Sequence, residues 1–173
     1  MKYRMYFFVP YNISEIQKGI QAGHAALEYS YKYGQTNEFK SFIEKDKTWI
    51  ILNGGTTRYS MSGDTGTLNN IGTSLVLNGV PCSEFAEIDL NFALTAVCFL
   101  ADERVWDKEV YPDFEDFNPV KNIMNMYKGT VTDSSFNVNL RGKLIKEYRE
   151  WINIIGGEKN EFLRELLKGK HLA

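Results

Sequence analysis

The sequence predicts an α/β fold in which a mixed four-stranded sheet is flanked by helices. Short runs rich in β-branched and aromatic residues alternate with amphipathic stretches, and 173 residues are enough to bury a core. Hydrophobic residues make up 43% of the chain and charged residues 24%, as in globular proteins. The order β-α-α-β-α-β-β, followed by helices, favours a three-layer-like sandwich with a C-terminal helical extension.

The first strand and first helix have clear boundary signals. The strand spans Lys2–Val9 and stops at Pro10, which has no N–H to donate to a strand ladder. Either Asn12 or Ser14 can cap the helix that follows, because each has a residue three positions later that closes a capping box. Gly34 is the expected end of this helix.

The first helix carries two stripes with different chemistry. Helical spacing predicts that one stripe faces the core, and it consists of Ile16, Ile20, Gly23, Leu27 and Tyr31. A polar edge about 100° away consists of Gln17, Gln21, His24 and Glu28. Small residues at Gly19, Gly23, Ala26 and Ser30 predict a close approach to a sheet or to a neighbouring helix, because glycine costs about 1 kcal/mol in a helix interior.

The rest of the chain divides into further elements and three segments. The predicted elements are a helix over Glu38–Lys45, a strand over Thr48–Leu52, a helix over Thr67–Asn78, strands over Val80–Ile88 and Leu94–Leu100, and helices over Arg141–Ile155 and Lys159–Leu167. Residues 1–101 form the predicted α/β core, 102–118 an acidic and aromatic linker or loop, and 119–173 a helical extension packed on the core.

Composition narrows the classes of function. The chain has 20 basic and 22 acidic residues, so no overall charge attracts nucleic acid, and basic residues near the C-terminus alternate with glutamates that can pair with them. Cys82 and Cys98 are expected to be free thiols. The apolar run Met5–Val9 is too short for a signal peptide or membrane span, so a cytoplasmic location is expected. Neither a cofactor nor a metal is expected.

His24 is the leading candidate for a functional side chain. The only other histidine lies near the C-terminus, and Gln21 stands one helical turn before His24 on the same polar edge. An imidazole has a reference pKa near 6.5, so both protonation states are accessible near neutral pH. The alternative is a structural histidine that hydrogen-bonds a neighbouring group between the helix and the sheet.

Two strings resemble the type II peptidyl-tRNA hydrolase superfamily. The first is Gln21-x-x-His24-Ala25-Ala26 on the helix after the first strand, and the second is Asp89-Leu90-Asn91 followed by Leu94-Thr95-Ala96. The similarity covers residues 3–101 and is greatest to divergent branches, with relatives in tailed bacteriophages. It implies hydrolysis of the ester that joins a peptide to the tRNA 3′ end, tRNA as a partner, and a homodimer.

The resemblance also implies roles for four side chains. Gln21 orients a water or the substrate, and His24 takes part in proton transfer. Asp89 acts as a base or holds the imidazole, and Thr95 donates its hydroxyl to the reaction intermediate. Two alternatives need no chemistry: Asp89 opens an Asx turn, and Thr95 is a residue that favours strands.

One position departs from the family pattern. Family enzymes carry a lysine four residues before the glutamine, where this chain has Gln17, with Lys18 about 100° further around the helix. Gln17 and Lys18 are therefore candidate substrate contacts, with helix capping as the alternative for Gln17. The displaced lysine and the sequence pI of about 5.8 favour a second hypothesis, a non-catalytic module that binds a nucleotide, an RNA or a host protein.

Overall fold

A computed structural model describes residues 1–58, 65–117 and 134–173. These residues form two compact units. The first contains Met1–Glu103 and Glu165–Ala173, and the second contains Arg104–Arg164. All the candidate site residues predicted from the sequence belong to the first unit.

The first unit is built on a mixed four-stranded sheet. Its strands are β1 (Tyr3–Pro10), β2 (Thr48–Gly55), β3 (Cys82–Glu87) and β4 (Ala93–Asp102), in the spatial order β2-β1-β4-β3. β1 pairs with β2 in parallel and with β4 antiparallel, and β3 pairs with β4 antiparallel. The predicted mixed sheet is confirmed.

Helices cover both faces of this sheet. Helix α1 (Glu15–Tyr33) and α2 (Asn37–Lys45) pack on one face, where Phe7 and Ala96 belong to their shared core. Helix α3 (Thr67–Leu77) lies on the other face, and the buried Leu68 approaches Gly54 there. The α/β class with flanking helices is therefore confirmed.

The ends of α1 follow the capping signals. Ser14, not Asn12, is the N-cap: its Oγ accepts from the Gln17 N–H at 3.3 Å, and its own N–H donates to Gln17 Oε1 at 3.1 Å. This reciprocal pair is a capping box. At the other end, the Gly34 N–H donates to the Ser30 carbonyl at 2.8 Å.

The predicted core stripe of α1 is wrong. Ile16, Ile20, Leu27 and Tyr31 are 78%, 51%, 70% and 89% exposed. The side that faces the sheet instead buries Ala22, Ala25 and Tyr29. Bulky side chains such as Phe7 and Phe42 already fill the space beneath the helix, so alanines fit where larger aliphatic residues do not.

Strand β4 contains an extra residue at Thr95. Phe85 is paired with Ala96, whereas the next residue of β3, Ala86, is paired with Leu94. Thr95 is left without a pairing position, which defines a β-bulge. Because a bulge interrupts the alternation of faces, Thr95 and Ala96 both lie under α1.

The edge strand β2 is partly covered by the C-terminal residues. Leu172 forms an antiparallel bridge with Leu52. The Asn53 N–H donates to the His171 carbonyl, and the Ala173 N–H donates to the Ile51 carbonyl, both at 3.0 Å. These bonds satisfy backbone groups that an edge strand would otherwise leave open.

The second unit is helical. Its elements include α4 (Glu103–Trp106, which begins at the boundary), α5 (Phe114–Phe117), α6 (Ser134–Ile154) and the first part of α7 (Glu158–Leu167). The segment predicted as a linker thus contains two helical turns. Predicted ion pairs are present on α6, where Lys143 lies 3.8 Å from Glu147 and Lys146 lies 3.9 Å from Glu150.

A buried arginine organises the second unit. Arg164 donates to Asp113 Oδ1 at 3.1 and 2.7 Å and to the carbonyls of Arg104 and Tyr111 at 2.5 and 2.7 Å. Burial alone would raise the pKa of Asp113, but hydrogen bonds and charge from Lys108 and Arg164 outweigh it and lower that pKa. Because these bonds of Arg164 all lie within the second unit, the cluster is structural.

Two further features bear on the class of protein. Within the described ranges, no helix is both long enough and apolar enough to cross a membrane. Across the same part of the chain, no group of three or more His, Cys, Asp or Glu side chains is placed to hold a metal ion. Cys98 is a buried free thiol, as predicted, and Cys82 is free and half-buried.

Candidate functional site

Gln21 and Thr95 meet beneath α1. Thr95 Oγ1 lies 2.7 Å from Gln21 Oε1 and 3.2 Å from the Phe85 carbonyl oxygen. Both acceptors lack a proton, so the threonine hydroxyl is the donor. Gln21 is 8% exposed and Thr95 1% exposed, which makes this a buried bond between residues 74 positions apart.

Glu87 completes the network. The Gln21 Nε2 donates to Glu87 Oε2 at 3.0 Å. A carboxylate only accepts, so the NH₂ end of the amide faces Glu87 and the carbonyl end faces Thr95. The two partners therefore fix the orientation of the Gln21 amide.

His24 lies beside this network, on the ring of Phe85. The imidazole stacks on that ring with centroids 4.4 Å apart and planes 14° from parallel. Phe85 thus touches His24 with its ring and Thr95 with its carbonyl oxygen. His24 is half-buried, so part of its surface remains accessible to solvent.

Asp89 occupies a different setting. It is exposed, in a single 3-10 turn (Ile88–Leu90) that links β3 to β4. Among the residues that the structure describes, no hydrogen bond or ion pair joins it to His24. Asn91 and Phe92, which follow the turn, have left-handed backbone angles with φ of 53° and 58°. A role for Asp89 stays a prediction.

Gln17 and Lys18 both have partners on α1. The Gln17 side chain is exposed and closes the capping box with Ser14. Lys18 is 9% exposed, and its Nζ lies 2.8 Å from Glu15 Oε1. Lys18 lies one turn before Gln21 on the buried side of the helix, so these two side chains share a face.

An apolar groove lies along α1, between this helix, α2 and the edge of the sheet. Its volume is about 550 Å³, and its walls include Ile20, Leu27, Phe42 and Trp49. His24 borders the groove as well. The volume is in the range of pockets that hold small organic ligands.

Two ionisable groups are buried where the inner face of α1 meets the sheet, Cys98 on β4 and Tyr29 on the helix itself. Burial raises the pKa of the Cys98 thiol to about 12, and the Cys98 Sγ donates to the Ala25 carbonyl at 3.2 Å. Burial also raises the pKa of Tyr29 above its ordinary value. Both groups are therefore protonated at neutral pH and add no charge beneath the helix.

The sequence could not indicate two members of this site. Glu87 has no signal of its own, because it stands next to the more distinctive Asp89-Leu90-Asn91 string and carries the same carboxylate chemistry. Phe85 has none because an aromatic residue in a strand is ordinary. The side to which Thr95 points depends on the bulge in β4. A bulge leaves no reliable trace in a single sequence, so the contact between Thr95 and Gln21 could not be predicted from register.

The arrangement offers a limited set of functional groups. It provides one half-buried imidazole, one partly buried carboxylate and an amide held from both ends. The second N–H of the Gln21 amide makes no hydrogen bond to the residues that the structure describes. An imidazole and an oriented donor are the groups that an acyl-transfer site uses.

Two comparisons with known proteins found no match. No protein family model matches the chain, and no curated protein matches it either.

Proposed function

We propose that this protein is a divergent type II peptidyl-tRNA hydrolase-like esterase, acting on the ester of peptidyl-tRNA or a related acyl ester. The observation that carries the proposal is the bond between Thr95 and Gln21, which joins the two strings of the resemblance at 2.7 Å. The proposal includes a cytoplasmic location and a homodimer.

In this proposal His24 is the general base. It takes a proton from a water whose oxygen attacks the ester carbonyl carbon, and it returns that proton to the tRNA 3′ oxygen as the carbon–oxygen bond breaks. An imidazole suits this task because one ring nitrogen can accept a proton while the other donates a hydrogen bond. Stacking on Phe85 restricts the ring without using either nitrogen.

Gln21 supplies the donor for the oxyanion. Its remaining amide N–H makes no hydrogen bond within the described residues, while the other N–H is donated to Glu87 and Thr95 holds the carbonyl end. A donor fixed in advance costs little reorganisation when negative charge develops. Thr95 acts here by orienting Gln21, which differs from the direct donation that the resemblance implies.

The experiment measures release of free tRNA from peptidyl-tRNA. We expect His24→Ala to lower the rate by about 10²-fold or more and Gln21→Leu by a similar factor. Asp89→Asn tests the remaining side chain of the resemblance: a loss of activity would support its predicted role, and full activity would remove Asp89 from the site. Wild-type protein without turnover overturns the proposal, and full activity in His24→Ala removes this site from it.

A binding module on the same fold is the second candidate. It is favoured by the Gln21 amide, whose two ends both hold the protein together, and by the apolar groove beside His24. Because the net charge is −2, binding of tRNA would depend on local contacts from lysine and arginine to its phosphates, and such contacts weaken with added salt. Binding of tRNA with no ester hydrolysis would favour this candidate.

A further inference from the structure

The apolar groove along α1 is continuous with the candidate site. Four residues of the helix line it: Ile20, Gly23, His24 and Leu27. They adjoin one another, because residues three and four positions apart are neighbours on a helix surface. His24 thus borders the groove and also stacks on Phe85. Given the ester hydrolysis proposed above, on which this step depends, we propose that the groove receives the acyl group of the ester and favours peptides whose ester-linked residue has a large, uncharged, apolar side chain.

The lining of the groove disfavours charged ligands. Met5 and Phe42 line it and are buried, whereas Ile43 and Trp49 line it and are partly exposed. Among the described residues around the groove, none is lysine, arginine, aspartate or glutamate. A charged side chain placed there would lose its hydration without gaining a partner of opposite charge, which is costly. An aromatic or branched aliphatic side chain would instead gain the free energy of leaving water.

Gly23 provides a passage from the imidazole to the groove. On the helix surface this glycine lies between Ile20 and Leu27, which are three positions before it and four positions after it. A Cβ added at Gly23 would meet no atom within 4 Å, so the space beside its backbone is open. An acyl group can therefore lie across the helix between the two large residues, with its carbonyl carbon near His24 and its side chain in the groove.

The size of the groove allows an aromatic side chain to be buried. Pockets of about 550 Å³ hold whole small organic ligands, so one side chain and the adjoining peptide atoms fit. The rings of Phe39, Phe42 and Trp49 line the groove, and aromatic rings pack favourably in offset or edge-to-face arrangements. Full burial of a phenylalanine side chain should therefore raise kcat/KM over that for glycine by about 10- to 100-fold.

The first experiment compares release of tRNA from N-acetylphenylalanyl and N-acetylglycyl esters, both carried by the same tRNA. We expect wild type to prefer the phenylalanyl ester by that factor. Gly23→Leu should fill the passage and bring the ratio of the two kcat/KM values close to one. A wild-type ratio near one, or a ratio that Gly23→Leu leaves unchanged, would overturn the proposal.

Gly19→Leu is the matched control for the passage. A Cβ added at Gly19 also meets no atom within 4 Å, but Gly19 is not among the described residues that line the groove. Side chains on a helix lean toward its N-terminus, so a leucine here leans away from Gly23. Gly19→Leu should therefore keep the wild-type preference, and loss of the preference in this variant would contradict the assignment to Gly23.

The second experiment measures binding without catalysis. N-acetylphenylalaninamide, which has no ester, is titrated into the full chain while NMR follows the indole N–H of Trp49, a residue that lines the groove. We expect a saturable shift in wild type and in Gly19→Leu, and little shift in Gly23→Leu or with N-acetylglycinamide. Absence of a saturable shift would overturn the proposal. A shift caused by protein concentration alone would also overturn it, because another chain would then fill the groove.

The two experiments together separate the groove from the esterase. Hydrolysis of both esters at equal rates, without binding of N-acetylphenylalaninamide, would keep the esterase and reject the groove as its acyl site. Saturable binding without hydrolysis of either ester would reject the esterase and keep the groove as a site for apolar acyl groups on a binding module. Neither binding nor hydrolysis would overturn both proposals.

Discussion

The two faces of α1 reverse the usual pattern of an amphipathic helix, in which large apolar residues are buried and polar residues are exposed. The inner face buries Ala22, Ala25 and the polar Gln21, whereas the outer face exposes Ile16 and Tyr31. Small residues inside allow a close approach, seen in the 3.2 Å contact between Cys98 Sγ and the Ala25 carbonyl. The hydrophobic size of a residue on this helix therefore does not show which way it faces.

The largest effect is expected from overfilling the inner face. Ala25→Leu adds three carbon atoms where the alanine is 0% exposed, and it should lower the free energy of unfolding by about 2–3 kcal/mol. Urea unfolding measures this change. Ser30→Leu, on the exposed side of the same helix, should stay within about 0.5 kcal/mol of wild type. Equal losses in both variants would contradict the assignment of the faces.

The next effect concerns the polar network under α1. Thr95→Val leaves Gln21 Oε1 without its donor and should cost about 1–2 kcal/mol. A double-mutant cycle with Gln21→Leu should show a coupling of roughly 1 kcal/mol. Ser83→Ala is the control, because the buried Ser83 Oγ has no hydrogen-bond partner within the described residues. Ser83→Ala should be neutral or slightly stabilising. Additive losses in the Thr95 and Gln21 double-mutant cycle would rule out the bond between these two side chains.

Alkaline pH provides a smaller test of the inner face. Burial holds the pKa of Cys98 at about 12, against 9.0 for an unperturbed thiol. Because the folded pKa is raised, the contribution to stability is complete below pH 9 and is lost as the pH rises toward 12. Stability should be roughly 1 kcal/mol lower at pH 10 than at pH 8 on this account. Cys98→Ala should reduce that slope, and an unchanged slope would exclude the thiol as its source.

The smallest effect should be a gain on the outer face. Gly23→Ala places a methyl group in open space and improves helix propensity, so unfolding should cost about 0.5–1 kcal/mol more. Thermal or urea unfolding at low protein concentration measures it. Gly54→Ala is the contrasting variant, because its Cβ would lie 2.8 Å from Leu68 Cδ1 and 3.1 Å from Phe8 Cβ. Gly54→Ala should be less stable than wild type. A loss of stability in Gly23→Ala would show that the outer face of α1 is covered.

Much of the fold could be predicted from the sequence because its signals are local. Capping residues, Gly34 and runs of β-branched residues locate α1 and the strands to within a few positions. The orientation of α1 could not be predicted, because it depends on the bulk of side chains such as Phe7 and Phe42 that meet the helix only after folding.

The site shows the same division between local and long-range information. The spacing of Gln21 and His24 follows from one helix, so the sequence indicates it directly. The approach of Thr95 to Gln21 depends on the register between β3 and β4. The bond from Gln21 to Glu87 depends on that register and on the position of Gln21 in its helix. A bulge and a long-range hydrogen bond have no signature in residue spacing alone.

The extra residue in β4 has a consequence for changes in chain length. Residues 97–102 are tied to β1 along their whole length, whereas the strand before Thr95 has only β3 beside it. Deletion of one residue at this point would therefore shift the part of β4 before Thr95. Ala93 and Leu94 would exchange sides of the sheet, and the turn that follows β3 would have to move. Insertions and deletions in homologous chains should accordingly concentrate on the turn side of Thr95 and spare the segment beyond it.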